Sequence, residues 1–513
     1  MKSPASSALK CLRWVPVGEL DSRRADDDDD AGRTTGNYNY TGCGPSETYL
    51  VQYTSGATGP PKPVAVTAGA AAHNARAARA AYALHPGSVV ASWLPQYHDC
   101  GLMFLLLTVA AGATCVLASP AAFVRRPRLW LDLVAEFRAT CTPVPSFALP
   151  LVLRRGRSAG SESEAVTARP VELGSLRNLI LINEPIYKSS VDKFVTEFAP
   201  AGLDASAISP SYGLAENCTF VATAWRGTEP RLGSNKKLLP SARLPPLLAP
   251  GEEPEIEIVV VDGRTGEPVA DGVEGEIWIS SPSNASGYLR NREVFCASLA
   301  GRSGTSFVRT GDCGVVRGPE RFLYVLGRTA DAIAVNIKDG QRRVHAHYVE
   351  TVAFASSPEY LRGGCVAAFA TSPSSVAVVA ELQKGRGDGA DLRNICDGVR
   401  RAVWKEEGVS VGSVVLVESG GLPKTTSGKL RRGSARDKLL AGALPKVFVA
   451  DYAENNEDVS TSKWLLRDGS KDKCRTSWVV PEAAAASGEL GGMVVMASGN
   501  ATSHPRLRLQ SSL

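Results

Sequence analysis

The chain has 513 residues, of which 44% are hydrophobic and 21% charged, which excludes general disorder and is enough for two or three domains. The formal net charge of +5 combines 57 basic and 52 acidic residues without a long basic block, so we expect no nucleic-acid partner. The 11 cysteines are odd in number and lack Cys-x-x-Cys spacing, which argues against a disulfide framework and for a reducing, cytoplasmic location.

The first 45 residues are predicted to be disordered linker. Met1 to Asp21 lacks the apolar core of a secretory signal, although its scarcity of acidic residues leaves organelle targeting open. The acidic run Asp26 to Asp30 and the Gly/Thr/Asn-rich sequence that follows are typical of a solvated segment.

Strand-like and helix-like segments alternate after residue 46, and this alternation predicts an α/β architecture. We expect a large domain over 46–326, a smaller α/β domain over 327–445 and a weakly patterned tail over 446–513. The clearest segments are strands at Thr48–Tyr53, Val89–Leu94, Leu179–Ile182, Ile256–Val261 and Gly275–Ile279, and helices at Ala70–Ala83 and Lys188–Phe198.

Gly101 to Val124 contains no charged residue and is long enough to span a bilayer. The segment divides into a helix-like part, Gly101 to Ala110, and a strand-like part, Thr114 to Ser119, separated by Gly112. We therefore predict a buried helix and strand rather than a transmembrane segment.

A loop rich in small residues follows the first strand. Its backbone N–H groups and hydroxyls are suited to phosphate oxygens, and its terminal lysine adds a positive charge. It lacks Walker spacing, and a flexible turn is the alternative for this segment alone. Its residues are Thr54, Ser55, Gly56, Ala57, Thr58, Gly59, Pro60, Pro61 and Lys62.

Further candidate residues occur in four later segments. Tyr212, Gly213 and Glu216 offer an aromatic ring, a turn and a carboxylate suited to a base and Mg²⁺. Asp312 in Thr310–Gly311–Asp312, interpreted as a turn, and Arg328 after Gly327 could reach ribose and phosphate. Lys429 ends a Pro/Gly-constrained loop.

These segments, in this order, resemble the core motifs of the adenylate-forming superfamily. The sequence from Ser92 to Gly101, which includes Trp93, Pro95 and His98, is similar to the fatty-acyl-AMP ligase branch, and the resemblance extends from about Tyr49 to Arg432. It implies a large adenylate-forming domain of stacked α/β subdomains with an incomplete first lobe, and a small mobile α/β carboxy-terminal domain with a hinge near Ala330.

The resemblance also implies an activity, in which ATP and a fatty acid give acyl-AMP and pyrophosphate. Thr54 to Lys62 would then hold the β and γ phosphates, Tyr212 and Gly213 the adenine, Glu216 Mg²⁺, and Asp312 with Arg328 the ribose. Lys429 would bridge carboxylate and phosphate, and His98 would line the mouth of the acyl pocket. Coenzyme A and the pantetheine arm of an acyl carrier protein are both open as acceptors.

Two other functions remain open beside this one, and two local patterns are weighed and set aside. The short front of the chain leaves open a truncated, non-catalytic scaffold, and an acyl-CoA ligase is the second alternative. Gly156 to Gly160 fits the Gly-x-Ser-x-Gly string of serine hydrolases, but its polar surroundings lack the flanking strand and helix. His345 and His347 are interpreted as solvated imidazoles without a nearby acid–cysteine cluster, rather than as a metal site.

Overall fold

The structure, a computed structural model, describes residues 42–57, 59–155, 171–182, 185–225, 232–245, 255–289, 296–299, 305–337, 340–372, 375–386, 389–425 and 428–452. All of these except Gly42 lie in a compact unit that contains Cys43–Glu457. Thr58, the string at 156–160, almost all of the predicted linker and most of the predicted tail fall outside the described residues.

A six-stranded sheet organises the first half of the chain, in the order β4-β3-β5-β6-β7-β8. Its neighbouring strands are parallel except for β8, which pairs antiparallel with β7. Strand β6 is buried along its whole length, which explains the uninterrupted apolar run in its sequence. The strands are β3 (Val89–Ser92), β4 (Thr114–Leu117), β5 (Cys141–Pro145), β6 (Asn178–Ile182), β7 (Ile208–Leu214) and β8 (Thr219–Thr223).

Six helices pack around this sheet and share one hydrophobic core with it. The connection of parallel strands through helices confirms the predicted α/β class. The helices are α1 (Ala68–Ala81), α2 (Asp99–Ala110), α3 (Pro120–Arg125), α4 (Leu129–Glu136), α5 (Ala148–Arg155) and α6 (Lys188–Phe198).

The uncharged segment 101–124 forms most of α2, all of β4 and most of α3, so the predicted helix followed by a strand is confirmed. Phe104 and Leu107 of α2 are almost completely buried. Burying such a side chain contributes about 1.5–3 kcal/mol. Among the described residues, no helix is long and apolar enough to cross a membrane.

Antiparallel strands form two further sheets. Strands β1 (Thr48–Tyr53), β2 (Pro63–Thr67) and β12 (Gly287–Tyr288) make one. The other has the order β10-β11-β14-β15-β9, with β13 also paired to β14. Its strands are β9 (Ala242–Arg243), β10 (Glu257–Val261), β11 (Gly275–Ser280), β13 (Cys296–Ser298), β14 (Ser306–Arg317) and β15 (Phe322–Arg328).

The segment Thr310–Asp312 corrects one prediction, because it lies inside β14 and not in a turn. The β11–β14 register shifts here: Trp278 pairs with Arg309, whereas Glu276 pairs with Cys313. Gly311 has φ +69°, a conformation that glycine adopts easily. The turn-like sequence therefore forms a β-bulge in a long strand.

The carboxy-terminal part begins with the hairpin of β16 (Ala332–Ile337) and β17 (Gly340–His345). A second sheet follows, in the order β18-β19-β20-β21. Its strands are β18 (Leu361–Ser372), β19 (Ser375–Leu382), β20 (Val411–Val417) and β21 (Lys446–Asp451), and its helices are α7 (Ala346–Ser356), α8 (Leu392–Glu407) and α9 (Arg432–Leu440). The predicted boundary at 445 is too early, since β21 pairs with β20.

Candidate active site

The loop from Thr54 to Lys62 connects β1 to β2 and is closed by two hydrogen bonds. The Lys62 N–H donates to Thr54 Oγ1 at 3.0 Å, and the Thr54 N–H donates to the Lys62 carbonyl at 3.0 Å. Gly56 has φ +67°, and a Cβ there would lie 3.0 Å from the Gly59 carbonyl oxygen. The compact loop leaves Ser55 and Lys62 exposed to solvent.

Lys62 and Glu216 both contact Tyr288 of β12, a residue that the sequence analysis did not identify. The Lys62 ammonium lies 5.0 Å from the centre of the Tyr288 ring, and Tyr288 Oη donates to Glu216 Oε1 at 2.7 Å. Burial and the neighbouring Glu216 charge raise the pKa of Tyr288, so the phenol remains a donor. Glu216 lies in the 3₁₀ turn Ala215–Asn217 directly after β7.

Tyr212, Asp312 and Arg328 form a second group. Tyr212 Oη donates to Asp312 Oδ2 at 2.7 Å, and Arg328 Nε lies 2.9 Å from Asp312 Oδ1. Asp312 and Arg328 face each other because they are paired in β14 and β15. The Asp312 charge raises the pKa of Arg328. Most of Tyr212 is covered by protein, so its packing on adenine remains a prediction.

The two groups share one electrostatic environment, since the charge of Glu216 also acts on Arg328. Gly213 lies in β7, three residues before Glu216. A Cβ at Gly213 would clash with the Thr219 carbonyl oxygen of β8. Thr219 itself has φ +96°, a strained conformation for a β-branched residue. The β7–β8 turn that carries Glu216 is thus tightly constrained.

His98, Asp99 and Lys429 form the third group. His98 Nδ1 contacts Asp99 Oδ1, and the Cys100 N–H donates to the same oxygen at 2.8 Å. Burial raises the pKa of Asp99, but the hydrogen bond from His98 and the charges of His98 and Lys429 outweigh it and hold that pKa below its usual value. The charge of Lys429, from near the end of the described chain, therefore acts on the carboxylate at the start of α2.

The loop that carries Lys429 is anchored at its ends. The Thr425 N–H donates to the Lys429 carbonyl at 2.8 Å, and the Lys429 N–H donates to Thr425 Oγ1 at 3.0 Å. Residues 426 and 427 lie outside the described residues.

An apolar groove, open to solvent, has Asp99 among its lining residues. One wall is the face of α2 with Leu102, Met103 and Leu106, and another is α1 with Ala71 and Ala75. Ala215, next to Glu216 in the chain, also lines the groove.

The expectation of solvated imidazoles at 345 and 347 is wrong. His345 is buried, and His347 Nε2 lies 2.6 Å from the Leu326 carbonyl oxygen. That oxygen can only accept, so Nε2 carries the hydrogen and Nδ1 accepts from Tyr187 Oη at 2.7 Å. Burial lowers the pKa of both histidines to about 4, and both are neutral near neutral pH.

The predicted hinge residue Ala330 lies in the 3₁₀ turn Thr329–Asp331. Arg432 binds across this turn: its Nε and Nη2 donate to Glu350 at 2.7 Å each, and its Nη1 donates to Asp331 at 2.8 Å. Sequence reasoning assigned no role to Arg432 or Glu350, because no local motif marks an ion pair formed by distant residues.

Comparison with known proteins decides the family. The AMP-binding enzyme family matches residues 5–289. The chain belongs to this family. The match includes much of the segment predicted to be linker, and it also includes the loop Thr54–Lys62, His98, Tyr212 and Glu216.

Two curated relatives are similar over most of the chain. A medium-chain-fatty-acid–[acyl-carrier-protein] ligase of Moorena producens is 30% identical over 419 residues, covering 77% of this chain and 68% of that relative. A probable long-chain-fatty-acid–AMP ligase of Mycobacterium tuberculosis is 31% identical over 432 residues, covering 77% of this chain and 71% of that relative. The chain spans about two thirds of the length of the curated relatives it matches.

A solved structure from a study of fatty acyl-adenylate ligases from E. coli and L. pneumophila is similar to this AMP-binding family member with a TM-score of 0.65 and 27% identity. The matched region covers 78% of this chain and 71% of the solved chain. The predicted adenylate-forming fold and the resemblance to fatty-acyl-AMP ligases are thereby confirmed.

Proposed function

We propose that this chain is a ligase that activates a fatty acid with ATP to form acyl-AMP. The observation that carries the proposal is that the charge of Lys429 acts on Asp99, a residue that lines an apolar groove. A substrate carboxylate beside Lys429 would attack the α-phosphorus, forming a carboxyl–phosphate bond as the bond to pyrophosphate breaks. Lys429 would stabilise the negative charge that both reactants bring together.

The nucleotide would lie beside the two groups at Glu216 and Asp312. The loop from Thr54 to Lys62 would contact the β and γ phosphates through N–H groups, the Ser55 hydroxyl and the Lys62 charge. Asp312, oriented by Tyr212 and Arg328, would accept hydrogen bonds from ribose hydroxyls.

Glu216 fits Mg²⁺, because a single carboxylate together with phosphate oxygens and water is the usual donor set for that ion. Tyr288 holds one oxygen of this carboxylate in place. When bound, Mg²⁺ supplies charge neutralisation at the phosphates.

The acceptor of the acyl group is proposed to be the pantetheine thiol of a carrier protein. Two relatives named as medium-chain-fatty-acid–[acyl-carrier-protein] ligases support this choice. We further propose an intracellular location, which the odd number of cysteines and the lack of Cys-x-x-Cys spacing in the sequence support.

Mass spectrometry tests the activity directly. Purified protein with ATP, Mg²⁺ and a panel of fatty acids should give acyl-AMP, and a holo carrier protein or coenzyme A added afterwards identifies the acceptor. Folded protein that yields no acyl-AMP from any acid would contradict the proposal and favour a non-catalytic scaffold.

Changing Asp312 to Asn should raise the KM for ATP about 10- to 100-fold, because a charge-assisted hydrogen bond to ribose is lost. Tyr212→Phe should have a smaller effect in the same direction. Asp271→Asn is the matched control: this carboxylate also pairs with an arginine, Arg321, but is half-exposed at the edge of the protein. Equal KM values for ATP in all three variants would rule out the role assigned to Asp312.

Changing Leu106 to Trp should shorten the acids that the enzyme accepts, because the larger side chain fills the groove. We expect the ratio of long-chain to short-chain rates to fall by about 10-fold or more. Val109→Trp on the exposed side of the same helix is the control and should leave the ratio unchanged. An unchanged ratio in Leu106→Trp would place the acyl chain elsewhere.

A further inference from the structure

Three potential metal ligands from distant parts of the chain meet beside the hinge. Glu274 directly precedes β11, Cys313 lies in β14, and His345 ends β17 at the start of α7. Their ligand atoms all lie within 4.8 Å of one another. An acid–cysteine cluster, which the sequence analysis did not find near His345, is therefore present. Glu274 and Cys313 precede the predicted hinge turn in the chain, and His345 follows it.

His345 is the least explained of the three. Its side chain is only 7% exposed, and its Nδ1 is buried without a hydrogen-bond partner among the described residues. A buried polar atom without a partner typically costs about 1–3 kcal/mol. A bound cation would provide the missing interaction, and the neutral imidazole is already in the form that binds metal.

The backbone leaves room for the cluster at Gly327. This glycine pairs with Cys313 across β14 and β15 and has φ +124°. A Cβ at Gly327 would lie 3.3 Å from His347 Cδ2 and 3.6 Å from His345 Nδ1. The space over the Cys313–Gly327 pair is thus occupied by the imidazoles.

The donor set of thiolate, imidazole and carboxylate is suited to zinc. Ligand atoms on a tetrahedral zinc are about 3.5 Å apart, so side-chain movements of about 1 Å would close the site. Burial and the Glu274 charge raise the pKa of the Cys313 thiol to about 11, and its proton would be released on binding. Arg343 and Lys236 are positive neighbours that weaken cation binding, but both are exposed and screened by solvent.

We propose that Glu274, Cys313 and His345 bind Zn²⁺, and that the ion holds the carboxy-terminal domain in the orientation that brings Lys429 to Asp99. Zinc binding is independent of the proposed function, whereas the effect of zinc on turnover rests on that function. Zinc would connect the sheet of β14 to the hairpin of β17 across the turn Thr329–Asp331. Acyl-AMP formation would persist with zinc bound, and transfer to a thiol, for which we propose a different orientation of this domain, would slow.

Cobalt provides the direct test, because Co²⁺ substitutes for zinc and a thiolate ligand gives a charge-transfer band. Chelator-treated full-length protein is titrated with Co²⁺, and zinc is then added to displace it. We expect a single equivalent to bind, with the band absent in Cys313→Ser and the affinity at least about 10-fold lower in His345→Ala and Glu274→Gln. Circular dichroism establishes that each variant is folded.

Cys296→Ser is the matched control, since Cys296 lies in the adjacent strand β13 and is exposed outside the cluster. The band should persist in this variant. A folded wild-type protein without a thiolate band, or a band that survives in Cys313→Ser, would overturn the metal site.

The consequence for turnover is measured on the same samples. Zinc should slow acyl transfer to a thiol at least about 10-fold in the wild type, with reversal by chelator, and should have no effect in Cys313→Ser. Metal binding without acyl-AMP formation would refute the proposed function and leave the site intact. Equal inhibition of wild type and Cys313→Ser would refute the coupling to domain orientation.

Discussion

Replacing Lys429 with alanine is expected to lower the rate of acyl-AMP formation by about 100- to 1000-fold, the effect of losing one preorganised charge at a developing anion. Lys429 is a positive charge from the carboxy-terminal part of the chain that acts on Asp99, which lines the groove. Because its loop is anchored by backbone bonds to Thr425, the substitution removes the charge without removing the anchor. Quenched-flow measurement of acyl-AMP at saturating ATP and fatty acid gives the rate.

Lys438→Ala is the control, because this lysine lies on the following helix α9 and is exposed. We expect its rate to match that of the wild type. If ATP binding is unchanged in Lys429→Ala and the rate falls less than about 10-fold, the charge assigned to transition-state stabilisation must come from another residue.

Elements that depend on local sequence could be predicted, and the strand before the loop Thr54–Lys62 is the clearest example. The strand Thr48–Tyr53, the glycine turn and the lysine follow one another in the chain, and the structure has the strand at the predicted bounds. Lys188–Phe198 also forms the predicted helix, because its apolar residues recur at helical spacing on one side.

Residues whose role depends on long-range pairing could not be predicted in the same way. Tyr288 lies in a two-residue strand, and only its pairing with β2 brings it to Lys62 and Glu216. Thr310–Asp312 has the composition of a turn, but neighbours on both sides hold it in a strand, which is a tertiary override of local preference. His345 looks solvated in sequence for the same reason, since its burial comes from segments distant in the chain.

Arg432→Met is expected to reduce the free energy of unfolding by about 3–5 kcal/mol, because it leaves two partly buried carboxylates without their counter-charge. The Arg432 and Glu350 side chains are 22% and 9% exposed, and Glu350 also accepts the Ala368 N–H at 3.0 Å. Urea unfolding of the full chain measures the loss. Arg436→Met on the same helix is the control, since its pair with Asp437 is exposed and should contribute little.

A double-mutant cycle separates the ion pair from the general loss of a side chain. Glu350→Gln removes the charge that Arg432 neutralises, so adding it to Arg432→Met should recover part of the lost stability, with a coupling energy of about 1–3 kcal/mol. Arg432 begins α9 three residues after Lys429, so acyl-AMP formation should fall in Arg432→Met and recover in the same double variant. Additive losses of stability would mean that the helix packs independently of the pair, and the position of Lys429 would then depend on the hydrophobic contacts of α9 alone.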